Sequence, residues 1–418
     1  MDLRALTLLA GANSSGKSSV MQPLLLLKQT LHEDRYDPGP LKLDGPNVVF
    51  TDAGQFISQV AVGQRPRFEV SLGVGKDRGR LLYEPSAAGV TLSETGVSVG
   101  QAPEIIMRDG SVVSARETAV LLELPGLEAE GKNSIASRHG IAHEIPLVPW
   151  VSIAVVDGVL LKGSVEFPAV GWKTHLSNDL MRLIHLGGHR GNPSRRYPRS
   201  VSSSDLRPGV FHEQAAGVIA HWKQHDPASL DALQSAMRTV GLGWSIEPVD
   251  LDATAIDLRI GRTRETSRAA RDLVSIADVG FGVSQSLPVL VALIDAKPGQ
   301  LVYIEQPEIH LHPRAQVGVA DLIVEASRRG ARVVIETHSE IILTRIQYHV
   351  AKGTLPPKDV LVHWFACDPK TGDTTVTAVE PDAAGAFGDW PVDFAEVGER
   401  VDREYIEAAW KRQSGEAG

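Results

Sequence analysis

The chain has a single cysteine, Cys367, in 418 residues, which excludes an internal disulfide and suits a reducing cytoplasm. No apolar run approaches the roughly 18 residues needed to cross a bilayer. The N-terminus lacks a basic segment and a cleavage site, so neither a signal peptide nor membrane attachment is expected, and the expected location is cytoplasmic. Basic surplus is also missing: the formal net charge is −9, so any nucleic-acid contact must come from a local patch. Metal-ligand spacing is scarce. His139 and His143 stand four apart, but Gly140 and the flanking loop residues argue against a helical zinc pair. What remains is an ordinary globular composition, 43% hydrophobic and 22% charged, long enough for one large core or two to three smaller ones.

The stretch that organises the rest is Gly11–Ser18, GANSSGKS. It fits G-x-x-x-x-G-K-[ST], a loop whose backbone N–H groups surround nucleotide phosphates. Leu6–Ala10 before it reads as a strand, and Lys17–Leu31 after it as a helix with an apolar stripe at Val20, Leu24, Leu27 and Leu31. Strand, glycine loop and helix is the setting the motif needs, because the helix start supplies oriented N–H dipoles for an anion. Gly11, Ala12, Asn13, Ser14, Ser15, Gly16, Lys17, Ser18 and Ser19 are therefore the expected phosphate cradle. Lys17 is expected to reach the β- and γ-phosphates, and the Ser18 hydroxyl to ligate Mg²⁺. The strand begins close to the start of the sequence, so either later strands flank it or an upstream one is missing.

Between Pro38 and Phe167 the texture turns β-rich, with short strands at Phe68–Val74, Gly79–Tyr83, Val97–Val99, Val151–Val155 and Val159–Leu161. Residues 176–240 read as helical, at Leu176–Leu186, Glu213–Trp222 and Ser229–Val240. They are interrupted by Gly187–Pro208, which carries Arg190, Arg195, Arg196 and Arg199. A second basic segment holds Arg262, Arg264, Arg268 and Arg271. Each is either a solvated loop or a functional element, a phosphate-facing groove with room for DNA or a trans-acting arginine near ATP. From Asp272 onward an α/β alternation appears. Helices are expected at Val283–Ile294, Pro313–Arg328 and Glu340–Val350, and strands at Leu301–Ile304 and Arg332–Ile335. A hairpin of Val360–Ala366 with Thr374–Val379 follows, and then a last helix from about Phe394 to Arg412.

Three further sites join the loop. Leu301–Ile304 ends in Glu305, an acid expected to face Mg²⁺ from the C-terminal end of a strand beside the P-loop strand. Val333–Ile335 runs into Glu336, Thr337, His338 and Ser339, where His338 can donate to a γ-phosphate or hold the attacking water. Asp278–Gln285, DVGFGVSQ, is either a tight turn or a helix start whose N–H groups bind the γ-phosphate of a second molecule.

The order GANSSGKSS, DVGFGVSQ, IEQPEIHLHP, ETHSE resembles the ABC/SMC-like ATPase heads grouped with AAA, RecF and OLD-type proteins. It is most similar to a small bacterial AAA ATPase subfamily with a C-terminal domain of unknown function. Leu186–Arg190 and Asp389–Phe394 resemble that subfamily too. The fold so implied is an α/β P-loop NTPase with a β-rich insertion lobe and a helical lobe. Its expected parts are an ATPase-core start at 1–37, the β-rich lobe at 38–175, the helical lobe at 176–245, the remaining core at 246–366, and a hairpin with helix at 367–418. The resemblance implies ATP and Mg²⁺ as cofactors and a homodimer sandwiching two nucleotides. Gly280, Gly282, Ser284 and Gln285 would complete the partner's site, Glu305 would complete the metal site, and His338 would sense the γ-phosphate. Proteins of this kind act in DNA repair or anti-phage defence beside a separately encoded effector. Gln306 stands where such heads place a catalytic glutamate, so Gln306 or Glu308 is left to position water. The chain after His338 is too short for the nuclease domain of OLD proteins, and no coiled coil interrupts it. Three readings follow: an ATP-hydrolysing switch, a nucleotide-gated scaffold with little turnover, and an OLD-like nuclease.

Overall fold

The computed structural model describes residues 1–33, 40–55, 67–74, 77–87, 89–98, 105–108, 111–112, 154–156, 159–161, 178–199, 207–264, 272–388, 403–410 and 412. In chain order the elements begin with β1 (Leu6–Gly11), α1 (Lys17–Glu33), β2 (Phe68–Val74), β3 (Asp77–Ser86), β4 (Gly89–Ser98), β5 (Ile105–Arg108) and β6 (Ser111–Val112). Then come β7 (Ala154–Val156), β8 (Val159–Leu161), β9 (Ile184–Leu186), β10 (Tyr197–Pro198), α2 (Ala215–His225), α3 (Pro227–Val240), β11 (Ser245–Asp250), β12 (Ala255–Gly261) and β13 (Leu273–Ser275). The last are α4 (Phe281–Asp295), β14 (Leu301–Glu305), α5 (Pro313–Arg328), β15 (Arg332–Glu336), α6 (Glu340–Ala351), β16 (Val360–Cys367) and β17 (Thr374–Val379). Two compact units result, Met1–Gln22 with Arg182–Gly418, and Pro23–Met181. The first division falls inside α1, between Gln22 and Pro23.

The first unit is built on a six-stranded sheet in the order β17-β16-β1-β15-β14-β9. All neighbours pair in parallel except β16 with β17. Parallel strands buried on both faces read as continuous apolar runs, and LTLLAG of β1 is buried at every position. Both neighbours of β1, β16 and β15, come from later in the chain. Aliphatic side chains of β1, β14 and β15 share one core with α2, α3, α4 and α5. At roughly 1.5–3 kcal/mol per fully buried aliphatic side chain, that core anchors the sheet whose ends carry the chemistry.

Caps fix where the helices begin. Asp226 accepts from Ser229 N at 3.2 Å to start α3, and Ser339 accepts from Ile342 N at 3.1 Å to start α6. The second cap matters for function, because it sets the backbone immediately after His338. One expectation fails here. Leu176–Leu186 does not form one helix: residues 178–182 are helical, and Ile184–Leu186 is strand β9, paired with Val302–Ile304 of β14. Its side chains are buried at the sheet edge, and pairing with β14 outweighs the local helical pattern.

A smaller antiparallel sheet in this unit joins β10, β12 and β11, with β13 also on β12. The other unit holds a five-stranded antiparallel sheet, β2-β3-β4-β5-β6, and the β7–β8 hairpin. Leu26, Leu27, Leu41, Val70, Leu81, Tyr83, Val90 and Leu180 form its core. His139, His143 and Asp389–Phe394 lie outside the described residues, as do Arg268 and Arg271.

Candidate functional site

Parallel pairing brings the C-terminal ends of β1, β15, β14 and β9 to one edge of the sheet, the edge where open α/β sheets bind ligands. Leu9 pairs with Glu336, Glu305 with Glu336, and Ile304 with Leu186. The loop after β1, the acids ending β14 and β15, and the glycines after β9 therefore meet there.

The loop itself is tightly determined. Gly11 has φ +143°, and a Cβ there would lie 2.2 Å from the Phe365 carbonyl oxygen, so only glycine fits. Gly16 has φ +90°, and a Cβ would meet Thr374 Oγ1 at 3.1 Å. Thr374 also donates to the Ser15 carbonyl at 3.1 Å, while Ser15 Oγ donates to the Ala12 carbonyl at 2.8 Å. Ser14 adopts φ +61°, and Ala12, Asn13, Ser14 and Ser19 are exposed. Lys17 is buried and folds back, donating to the carbonyls of Gly11 at 3.1 Å and Ala12 at 2.6 Å. Burial pulls its ammonium below the usual lysine range, and Glu336 partly offsets this. Each such bond from a charged donor contributes on the order of 1.5–3 kcal/mol, so Lys17 reaches a phosphate only by exchanging them for oxygens of full negative charge.

The acids are arranged differently from the sequence expectation. β14 does not lie beside β1; β15 stands between them. Glu305 Oε1 sits 3.2 Å from His185 Nε2, and its Oε2 accepts from Gly188 N at 3.0 Å. Burial raises the Glu305 carboxyl, but the His185, Gly188 and Arg190 interactions outweigh it and leave the group below its ordinary range. Glu336 is the acid in contact with the P-loop hydroxyl: Ser18 Oγ lies 3.0 and 2.8 Å from its two oxygens. Tyr303 OH donates to the same carboxylate at 3.1 Å. Burial pushes Glu336 upward, against the Ser18 bond.

Gln306 takes φ +44°, uncommon outside glycine, and its N–H bonds the Glu336 carbonyl at 2.7 Å. Such conformations cost on the order of 1–3 kcal/mol and concentrate at functional sites. Glu308 Oε1 accepts from His338 N at 2.7 Å, linking the β14 loop to the turn after β15. Burial raises Glu308, and the His338 N–H bond works against it. Burial and the nearby Lys17 charge hold His338 below the usual histidine range.

The Gly280–Gln285 loop opens α4 with Gly280 as the N-terminal cap residue. Gly280 is exposed and a Cβ there would touch nothing within 4 Å. Gly282 faces the chain itself, since a Cβ would meet the His310 carbonyl oxygen at 2.9 Å. Ser284 and Gln285 turn their side chains inward. Both are buried, Ser284 Oγ donates to the Phe281 carbonyl at 2.9 Å, and Gln285 Nε2 donates to the Gly191 carbonyl at 2.7 Å. Gln285 Oε1 also accepts from Arg190 N. Their side chains are committed inside the subunit, which leaves the backbone at the helix start for any outside ligand.

Sequence reasoning underrated the segment after β9. Arg190 is buried, and its guanidinium donates to the carbonyls of Glu305 at 2.5 Å, Gln306 at 3.2 Å and Gln285 at 3.3 Å. Burial lowers it to about 10, with Glu308 and Glu305 opposing. One arginine thus ties the acid loop to α4. The other described arginines of the basic segments are mostly paired: Arg195 with Asp278, Arg196 with Asp252, Arg199 with Asp250 and Arg262 with Asp272. Pairing favours the solvated-loop reading. Asp250 and Asp252 are here ion-pair partners.

A glycine loop between a parallel strand and a helix, with carboxylates at adjacent strand ends, defines a P-loop nucleotide-binding α/β protein. A family profile described as "AAA domain, putative AbiEii toxin, Type IV TA system" matches residues 6–102 and 176–344, and the chain belongs to this family. It is also similar to the Old nuclease of Escherichia phage P2, 31% identical over 99 residues. That match covers 21% of this chain and spans only 16% of the phage protein. Among solved structures, an Smc head bound to the C-terminal winged-helix domain of ScpA covers 92% of this chain and 93% of its own at 11% identity and a TM-score of 0.42. The SMC head domain from Thermotoga maritima is likewise 11% identical, covering 91% and 92%, with a TM-score of 0.32.

Proposed function

We propose that the protein is an ATP-binding and ATP-hydrolysing switch whose subunits pair around nucleotide. The observation carrying this reading is the convergence of Lys17, Ser18, Glu305, Glu336 and His338 at one sheet edge. Lys17 exchanges its loop carbonyls for the β- and γ-phosphates, and the N–H groups of Asn13–Ser19 surround them. Ser18 Oγ and the strand-end acid Glu305 are hard oxygen donors, the kind that suits Mg²⁺, which would neutralise developing phosphate charge. Glu308 or Gln306 orients the attacking water, and His338 donates to the γ-phosphate. The start of α4, exposed at Gly280 and Phe281, offers N–H groups to the γ-phosphate held by a second subunit.

Phosphate release from Mg–ATP by the purified protein tests this, measured with the wild type beside Lys17→Ala. Turnover that the variant lacks supports an ATPase; nucleotide binding without turnover supports the scaffold reading, which Gln306 at the water-positioning place favours. Work in DNA repair or anti-phage defence, in the cytoplasm beside a separately encoded effector, is the role we infer from the resemblance of the motif series. An OLD-like nuclease activity rests only on the short match to the phage protein.

A further inference from the structure

Glu336 is a carboxylate that the P-loop, the β14 acid and the switch histidine leave without a function. It closes β15, the strand directly between β1 and β14, and its residue is 6% exposed. The Ser18 hydroxyl, the group a P-loop offers to Mg²⁺, sits 2.8 and 3.0 Å from its oxygens. Glu305, the acid of β14, is one strand further away, and its two oxygens are engaged by His185 at 3.2 Å and the Gly188 N–H at 3.0 Å.

We propose that Glu336 is a further metal-site residue: the carboxylate next to the Mg²⁺ that accompanies ATP, with Glu305 behind it. The proposal rests on the ATP-site reading above. The chemistry follows from the donor set. With its proton committed to Glu336, the Ser18 oxygen keeps its lone pairs for a cation. A carboxylate in the same contact adds a hard anionic oxygen, and Mg²⁺ takes one or two carboxylates beside phosphate and water. Tyr303, bonded to the same carboxylate at 3.1 Å, fixes its orientation as outer partners of metal ligands do.

A purely structural role is the competing account, with Glu336 only an acceptor for Ser18 and Tyr303. Glutamine accepts the same hydrogen bonds, so Glu336→Gln separates the two. The experiment measures Mn²⁺ affinity by electron paramagnetic resonance at saturating ADP, alongside ADP affinity without metal. Expected is a Mn²⁺ affinity reduced roughly 10–100-fold in Glu336→Gln, a smaller loss in Glu305→Gln, and metal-free ADP affinity close to wild type. Glu336→Asp, which keeps the charge, should retain more Mn²⁺ affinity than Glu336→Gln and serves should the latter fold poorly. Wild-type Mn²⁺ affinity in Glu336→Gln, or a larger loss in Glu305→Gln, overturns the proposal while leaving the ATP site standing. Failure of the wild type to bind ADP under either condition takes down the ATP-site reading and this proposal together.

Discussion

The P-loop and the Gly280–Gln285 loop both offer backbone N–H groups at a helix start, yet they are finished differently. In the P-loop the functional side chains are satisfied by one another and by loop carbonyls, with Lys17 on Gly11 and Ala12 and Ser18 on Glu336. Every one of those contacts can be exchanged for a phosphate or a cation. In the second loop the side chains of Ser284 and Gln285 bond to Phe281, Gly191 and Arg190, groups that nucleotide does not replace. The first holds its functional side chains in contacts that a phosphate or a cation can take over. The second is a preformed backbone surface, which suits a task performed on another subunit.

The comparison is broken most severely at Lys17. Lys17→Ala should abolish measurable ATP binding in calorimetry while leaving the protein folded, at a melting temperature lowered by the loss of its two bonds to loop carbonyls. Unchanged affinity would mean that the loop does not read phosphate.

Next comes Glu308. If it activates water, Glu308→Gln should cut phosphate release by roughly 10²–10⁴-fold with ATP affinity little changed. Its bond to His338 N argues that it also braces the turn after β15, so a melting curve must accompany the rates. Normal turnover per folded molecule removes Glu308 as the base. Gln306→Glu, which restores the usual carboxylate, should leave turnover level or raise it.

The second loop is sharpened by a pair of variants. Gly280→Glu places a charge where a Cβ meets nothing, and should remove nucleotide-dependent pairing without lowering the melting temperature. Gly282→Glu should remove pairing and also destabilise, because its Cβ runs into the His310 carbonyl. Equal melting temperatures for the two would show that the Gly282 contact is not a constraint.

The smallest effect is on pH dependence. Burial, then Arg190, His185 and His189, hold His212 at about 4, against 6.5 for a free histidine. The unfolded chain therefore takes up this proton first. His212 contributes its stability in full above pH 6.5 and loses it as pH falls toward about 4. His212→Gln should flatten the fall in melting temperature between pH 7 and 4.5 relative to wild type, and parallel curves would refute the assignment.

Much of this site was legible in the sequence. GANSSGKS needs its strand and helix at fixed offsets, and Pro313–Arg328 carries its own start signal in Pro313, so local chemistry decides both. What the sequence did not reveal depends on strand order. That β15 separates β14 from β1 is a property of the sheet, and it alone turns Glu336, rather than Glu305, toward Ser18. The inward turn of Gln285 likewise follows from Arg190, 95 residues earlier in the chain. Ile184–Leu186 was hidden for the same reason, since its strand state comes from pairing with Val302–Ile304 and not from its own pattern. A usable signal did exist: an acid placed immediately before the Thr337–His338 turn, at the end of an apolar strand.

The central claim is that nucleotide joins two subunits through these two loops. Light scattering on the wild-type protein with Mg²⁺, with and without a non-hydrolysable ATP analogue, tests it most directly. The account predicts a mass that doubles only with the analogue; a mass indifferent to nucleotide, whether monomer or dimer, would contradict it.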